Sequence, residues 1–290
     1  MTELPIVLFS HGLGGNRTTY SHFCGDLASW GKVVVSMEHS DGSANITGRN
    51  NHSVLIRYKR LTAGVDLWQF RNNQLKYRLR EVGDLLDVLK GINAGESLKN
   101  QLGVSKPAAK FDIQDFKGKL NLNKLIMAGH SFGAATVLAV LDSSSPFHDR
   151  FIAGVALDPW MLPLEPLSIP STPLLLVNSD TFHWPENVVS MRKLLAKNAR
   201  NDYLTILNTA HQNQSDLPIL FPKILRRRKM GGKMDPQRAI LLNNAAVLSF
   251  LGQLLNEPDA QKIWDMVSAS KDILVGLEPI EKRFLVIADS

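Results

Sequence analysis

The chain has 290 residues, of which 44% are apolar and 21% charged, with a formal net charge of +6. Such a balance is that of a globular domain long enough to bury a sizeable core, and excludes a disordered or low-complexity chain. By composition no stretch approaches the roughly 18–20 apolar residues of a membrane-spanning helix. The single cysteine, Cys24, excludes an intrachain disulfide and reads as a small buried thiol on a helix.

In chain order, residues 6–10 read as a first short buried strand, followed at once by the turn His11-Gly12-Leu13-Gly14-Gly15. Residues 19–30 read as a helix and residues 32–38 as a second strand. Residues 75–89 place Leu79, Val82, Leu86 and Leu89 on one helical stripe. Residues 91–118 are polar, with Gly95, Gly103 and Pro107, and read as a connecting excursion. Further strands are expected at residues 125–128, 152–157, 174–177 and 204–207, and helices at 134–141, 185–196 and 236–255, the last two with Pro185 and Pro236 in first-turn positions. Apolar strands alternating with helices imply an α/β fold, a mainly parallel sheet with helices on both faces. The expected organisation is one domain over residues 1–256 and a tail over 257–290 with no clear place in the core.

The most informative segment is Gly129-His130-Ser131-Phe132-Gly133. It fits the G-x-S-x-G nucleophile elbow, and its strand-before, helix-after context is the one that lifts a serine Oγ above a sheet edge. In that layout the oxyanion donors are the backbone N–H after the nucleophile, Phe132, and one from the glycine-rich turn after an earlier strand, Leu13. A serine needs a base, and the order of this fold is Ser, acid, His. His211, after the last parallel strand, stands where that base belongs; His148 comes too early and His183 precedes a helix. Two acids compete, Asp158 after the strand at 152–157 and Asp180 after the strand at 174–177; both sit at strand carboxyl ends, and the generic hydrolase layout favours Asp180.

Five separated segments carry a family resemblance: Phe9-Ser10-His11-Gly12-Leu13-Gly14, Glu38-His39-Ser40-Asp41-Gly42-Ser43-Ala44, the elbow, Gly154-Val155-Ala156-Leu157-Asp158-Pro159-Trp160-Met161, and His211-Gln212-Asn213-Gln214-Ser215-Asp216. On these the chain resembles the platelet-activating factor acetylhydrolases, of the lipoprotein-associated and intracellular type II kinds. The resemblance implies an α/β-hydrolase fold with Ser131 as nucleophile, Asp158 as acid, His211 as base, and Leu13 and Phe132 as oxyanion donors. It implies a calcium-independent esterase, with no metal or cofactor, acting on the short or oxidised sn-2 acyl group of glycerophospholipids. Ser40 stands where family members usually carry Arg, and Ala134 where they often carry Gly. Two antiparallel edge strands that normally precede the first strand here are not in this sequence, so a fragment or isoform is expected, and with it two rivals: another α/β-hydrolase carboxylesterase using Asp180, or an inactive family member.

The segment after the base mixes Leu217, Ile219, Leu220, Phe221, Ile224 and Leu225 with Lys223, Arg226, Arg227, Arg228 and Lys229. An amphipathic helix of this composition suits a membrane or lipoprotein surface, or equally a helix packed on the domain with a solvated basic end; nucleic acid is the poorer fit, because aromatic residues are not interleaved. A cytoplasmic chain in peripheral contact with membrane is the expected location.

Overall fold

The computed structural model describes residues 3–49, 54–96, 112–168, 172–195, 201–228 and 230–276. The chain divides into two compact units, residues 1–172 and 173–290.

The first unit contains β1 (Leu4–Ser10), α1 (Ser21–Ser29), β2 (Val33–Ser36), β3 (Ile46–Arg49), β4 (Val54–Arg57), α2 (Leu67–Ala94), β5 (Leu120–His130), α3 (Phe132–Leu141) and β6 (Phe151–Leu157). Its parallel strands run in the order β2-β1-β5-β6, with Ser10 beside Gly129 and His130 beside Leu157. The carboxyl ends of β1, β5 and β6 are therefore level, and the turns that leave them lie side by side. Ile6, Val7, Leu8 and Phe9 on β1, and Leu125, Ile126, Met127 and Ala128 on β5, are fully buried. These apolar runs lack alternation because both faces of a parallel sheet are covered. All but one residue of α3 is buried, as its apolar composition requires.

The second unit holds β7 (Leu174–Ser179), α4 (Pro185–Leu195), β8 (Asp202–Ile206), α5 (Leu217–Leu220), α6 (Pro222–Arg227), α7 (Pro236–Leu255), α8 (Ala260–Ser268) and β9 (Ile273–Val275). β7 and β8 are parallel, and β9 returns antiparallel to β8. α7 is long and apolar enough to cross a membrane by length and composition, contrary to the reading of the sequence; 61% of that window is buried, and it packs on β7, β8 and α8 as the unit's core helix.

The expected α/β class is observed, and every expected strand and helix is present. Four features differ. A hairpin, β3–β4, pairs Ile46 with Arg57; its short strands with exposed Val54 and Leu55 give no buried alternation to read. α2 starts eight residues before its expected first turn and runs into the expected excursion, of which residues 97–111 lie outside the described residues. The expected tail is folded as far as Gly276: Gly252 and Ala260 leave room for α8 to approach α7, Arg238 pairs with Asp272, and the Gly276 N–H donates to the Tyr203 carbonyl at 2.8 Å. Cys24 is only partly buried.

Candidate active site

Ser131 sits between β5 and α3 with φ 59° and ψ −116°. A serine held there costs on the order of 1–3 kcal/mol, so neighbouring contacts must impose it. They are backbone bonds: the Ser131 N–H donates to Leu157 O at 2.9 Å, and Ser131 O accepts from the amides of Ala135 at 3.0 Å and Trp160 at 3.4 Å. Two glycines let the turn close. A Cβ on Gly129 would overlap the Gly133 carbonyl, and one on Gly133 would overlap the carbonyl of Ser10, with His11 O 2.9 Å away. Both obstacles are backbone, so neither can step aside. Gly133→Ala is accordingly expected to cost several kcal/mol, of order the 3–5 kcal/mol seen for the worst core substitutions; urea unfolding at or near the wild-type midpoint would contradict this.

The turn after β1 supplies the second set of donors. Its Gly12 N–H donates to the Tyr20 hydroxyl at 3.1 Å, its Gly14 N–H to Ser43 O at 2.8 Å and its Gly15 N–H to Gly12 O at 3.2 Å. The Leu13 N–H has no partner among the described residues. Phe132 opens α3, where helical geometry leaves the N–H groups without an intrahelical acceptor. Leu13, Trp160 and Leu164 pack against the buried cluster of Leu75, Phe132 and Ala135, so both candidate donors belong to one apolar cluster. Having accepted from Gly12, the Tyr20 hydroxyl donates to His130 Nδ1 at 2.9 Å, which ties the turn to the elbow.

Beneath the two turns lies a buried polar network that the sequence reading missed. Arg78, on α2, is 0% exposed. Its Nε donates to Asp41 at 3.1 Å, one terminal nitrogen to His11 O at 2.8 Å and Ser10 Oγ at 3.1 Å, and the other to Ser43 Oγ at 2.6 Å. Its guanidinium lies 4.4 Å from the centre of the Phe132 ring. One side chain thus holds the carbonyl next to the Leu13 turn and the ring of the other donor residue. Burial alone would raise the Asp41 carboxyl, but Arg78 and Ser43 hold it below the usual carboxylate range.

Ser10 Oγ, accepting from Arg78, donates to His39 Nε2 at 2.7 Å; His39 Nδ1–H donates to Glu81 at 2.6 Å. Ser40 adds its N–H and hydroxyl to the other Glu81 oxygen at 2.8 and 2.6 Å. Ser10, His39 and Glu81 have the connectivity of a hydrolytic triad, yet Ser10 and His39 are fully buried, so they position the turn rather than meet substrate. The His11 ring likewise donates from Nδ1 to Gly12 O at 2.8 Å and accepts the His39 N–H at Nε2 at 3.2 Å. Both imidazoles are neutral. Burial first, then the Arg78 charge, pushes each well below the ordinary histidine value. The unfolded chain protonates them near pH 6.5 and the folded one resists, so stability is held above that pH and falls as the solution is acidified toward the folded values. The expected slope reaches about 1.4 kcal/mol per pH unit for each histidine. Glu38, raised mainly by burial, acts in the opposite sense from about pH 4.5 upward to its folded value. Denaturant unfolding at pH 7.5 and 5.5 checks this: wild type loses stability and His39→Gln loses about half as much, whereas a flat wild-type profile refutes the neutral-histidine assignment.

Asp158 follows β6, fully buried with φ 46°, adjoining the Leu157 carbonyl that fixes Ser131. The first unit therefore brings Ser131, Asp158, Leu13 and Phe132 to one edge of its sheet. The second unit carries His211, first residue of a short 3-10 helix after β8, its ring stacked on Phe182 at 4.2 Å between centroids. Asn213 Oδ1 closes that helix by accepting from the amides of Ala210 and Gly232, both at 2.9 Å. The Asp180 carboxylate accepts the Asn208 N–H at 2.9 Å and so pins the turn leading to His211. His183 bonds Tyr203 at 2.6 Å and the Asp180 carbonyl at 3.1 Å, and His148 bonds Ser145 O at 2.8 Å.

The segment expected to touch lipid is two short helices rather than one, since Pro222 at the start of α6 has no N–H to continue α5. Leu220, Phe221 and Ile224 are 61%, 50% and 52% exposed, and Arg226, Arg227 and Arg228 are exposed beside them. Leu225 departs from the expectation. It is 7% exposed, packed inward near Gly231, and offers no surface. Lys229 lies outside the described residues.

Comparison with known proteins adds to this geometry. The platelet-activating factor acetylhydrolase of dog (Canis lupus familiaris) is 35% identical over 285 residues, 93% of this chain and 61% of the relative, and that of cattle (Bos taurus) is 34% identical over 281 residues, again 93% and 61%. The chain thus spans about three fifths of the length of these relatives. A solved ferulic acid esterase from Streptomyces cinnamoneus superimposes with a TM-score of 0.68 at 18% identity, over 95% of this chain and 74% of the esterase, which identifies the fold as that of an α/β hydrolase. Residues 1–274 match the family described as platelet-activating factor acetylhydrolase, isoform II, and the chain belongs to that family.

Proposed function

We propose that the chain is a calcium-independent serine esterase that removes a short or oxidised sn-2 acyl group from glycerophospholipids such as 1-alkyl-2-acetylglycerophosphocholine, giving a lysophospholipid and the free acid. The observation that carries the reading is the strained Ser131 turn at the start of α3, packed against the turn after β1 in which the Leu13 N–H is unbonded: a Cβ on Gly12 would lie 3.0 Å from the Ser131 Cβ. Ser131 Oγ attacks the ester carbonyl while His211 takes its proton; Asp158 orients the imidazole and stabilises its charged form. The Leu13 and Phe132 N–H groups receive the oxyanion, a contribution of about 3–4 kcal/mol for a donor of this kind. Collapse breaks the bond to the glycerol oxygen, which takes the proton from His211, and water then releases the acyl group from Ser131 by the same route. No step calls for a metal.

Hydrolysis of 1-alkyl-2-acetylglycerophosphocholine in EDTA tests this, with a long-chain phosphatidylcholine as comparison. Acetate release by wild type and none by Ser131→Ala supports the reading; equal turnover of the long-chain lipid, or dependence on added calcium, overturns the substrate assignment.

The exposed Leu220, Phe221 and Ile224 beside Arg226, Arg227 and Arg228 support contact with a lipid surface, anionic headgroups adding roughly 1 kcal/mol per basic residue. Sedimentation with vesicles containing phosphatidylserine is expected to weaken at least tenfold in a Leu220→Ser/Phe221→Ser/Ile224→Ser variant while hydrolysis of a monomeric ester is retained. Unchanged sedimentation removes the proposal.

A further inference from the structure

A cavity of about 670 Å³ opens beside the turn after β1, lined by Leu13, Gly14, Asn45, Ile46, Arg57, Tyr58 and Arg60. That volume lies within the roughly 300–1,000 Å³ range of small-ligand sites. We infer that this cavity is the subsite for the phosphodiester of the leaving lysophospholipid, with Arg57 and Arg60 as its counter-charges. The inference rests on the esterase reading above and goes beyond it, since nothing in that reading assigns a group to recognise the phosphate.

Three observations lead here. First, Leu13 lines the cavity and also offers the unbonded N–H assigned to the oxyanion, so the cavity begins where the scissile carbonyl must sit. The phosphorus of a glycerophospholipid lies only a few bonds beyond its sn-2 ester oxygen. Second, the wall carrying the arginines is fixed to the oxyanion turn by backbone bonds. Gly14 N–H donates to Ser43 O at 2.8 Å, Asn45 N–H to Gly15 O at 3.2 Å, and Tyr58 N–H to Asn45 O at 3.1 Å. The backbone that carries Arg57 and Tyr58 is thereby held against the oxyanion turn. Third, two guanidinium groups face one cavity with no carboxylate paired to either among the described residues. Two cations on one cavity wall attract an anion, and the planar guanidinium fork suits a phosphate. Between them, Tyr58 accepts from Arg71 at 2.9 Å, which leaves its own hydroxyl proton to donate.

The test uses two monomeric esters that differ only in the phosphodiester, 1-hexyl-2-acetylglycerophosphocholine and 1-hexyl-2-acetylglycerol, on wild type and Arg57→Gln/Arg60→Gln. The expected result is a rise in KM of about tenfold or more for the phosphodiester, the range for a lost charge-assisted contact, with kcat within about twofold and the neutral ester unaffected. Raising the salt concentration should reproduce the effect in wild type, since exposed charges are screened. Equal loss on both esters assigns the arginines a merely structural role, and no change on either removes them from recognition; each outcome overturns the inference. If wild type cleaves neither ester, the esterase reading fails separately, and the subsite is decided by calorimetric binding of hexylphosphocholine: binding lost in the double variant sustains it, and no binding to wild type overturns it. Inorganic phosphate should bind far more weakly than hexylphosphocholine; equal affinity makes this a general anion site and overturns the assignment to the leaving group.

Discussion

Asp158→Asn is expected to lower kcat toward an sn-2 acetyl phospholipid by about four orders of magnitude, while Asp180→Asn stays within a few-fold of wild type. The first figure is the loss seen when an asparagine replaces a triad carboxylate and leaves the imidazole in the wrong tautomer. The contrast comes from what each carboxylate is committed to. Asp158 is sealed beside the elbow, held with φ 46° one residue after the carbonyl that fixes Ser131. Asp180 spends its carboxylate on the Asn208 amide, and Asn208 itself stands at φ 59° in the turn before His211. An asparagine at 180 keeps an amide oxygen for that N–H, so the cost is about 1 kcal/mol of local stability. The reverse ranking would place the acid on the second unit and return the generic hydrolase layout.

Arg78→Met is expected to cost about 3–5 kcal/mol of unfolding free energy, because it leaves Asp41 buried with its charge uncompensated. It also removes the donors to His11 O and Ser43 Oγ and the cation over the Phe132 ring. Since those contacts hold both candidate oxyanion residues, any folded fraction should show lower kcat with little change in KM. Arg78→Met/Asp41→Leu recovers part of the stability by deleting the stranded carboxylate, but not kcat. Equilibrium urea unfolding with matched kinetics checks both halves. A single variant less than about 1 kcal/mol from wild type would mean that water or another cation reaches Asp41.

Much of the fold was legible from apolar runs alone. β1, β5, β6, β7 and β8 are buried on both faces, and α7 spans Pro236–Leu255 as expected because Pro236 and the apolar period mark it at both ends. The hairpin β3–β4 escaped because its apolar residues face outward. The network around Arg78 escaped for a different reason. The expected stripe passes through Leu79, but the buried face of α2 runs through Leu75, Arg78 and Val82, and only the partners Asp41, Ser43 and Ser10, distant in sequence, explain a charge there. The signal lay in the Glu38-His39-Ser40-Asp41-Gly42-Ser43-Ala44 segment, noticed for its resemblance without a physical role. The elbow was legible because it demands glycine at two fixed places. The acid was less so, because a position after a strand cannot rank two carboxylates; the choice of Asp158 rests on the family resemblance, and the paired asparagine variants decide it. Leu225 was misplaced because an amphipathic composition does not say where a proline will divide the helix.

The central claim is that Ser131 is an activated nucleophile, and the most direct measurement is covalent labelling. The protein is treated with a fluorophosphonate at neutral pH and the adduct is located by peptide mass spectrometry. A single stoichiometric adduct on Ser131, slowed by orders of magnitude in His211→Gln and Asp158→Asn variants whose thermal unfolding is unchanged, is the expected result. An unlabelled Ser131 in folded protein, or an adduct on another residue, would contradict the account.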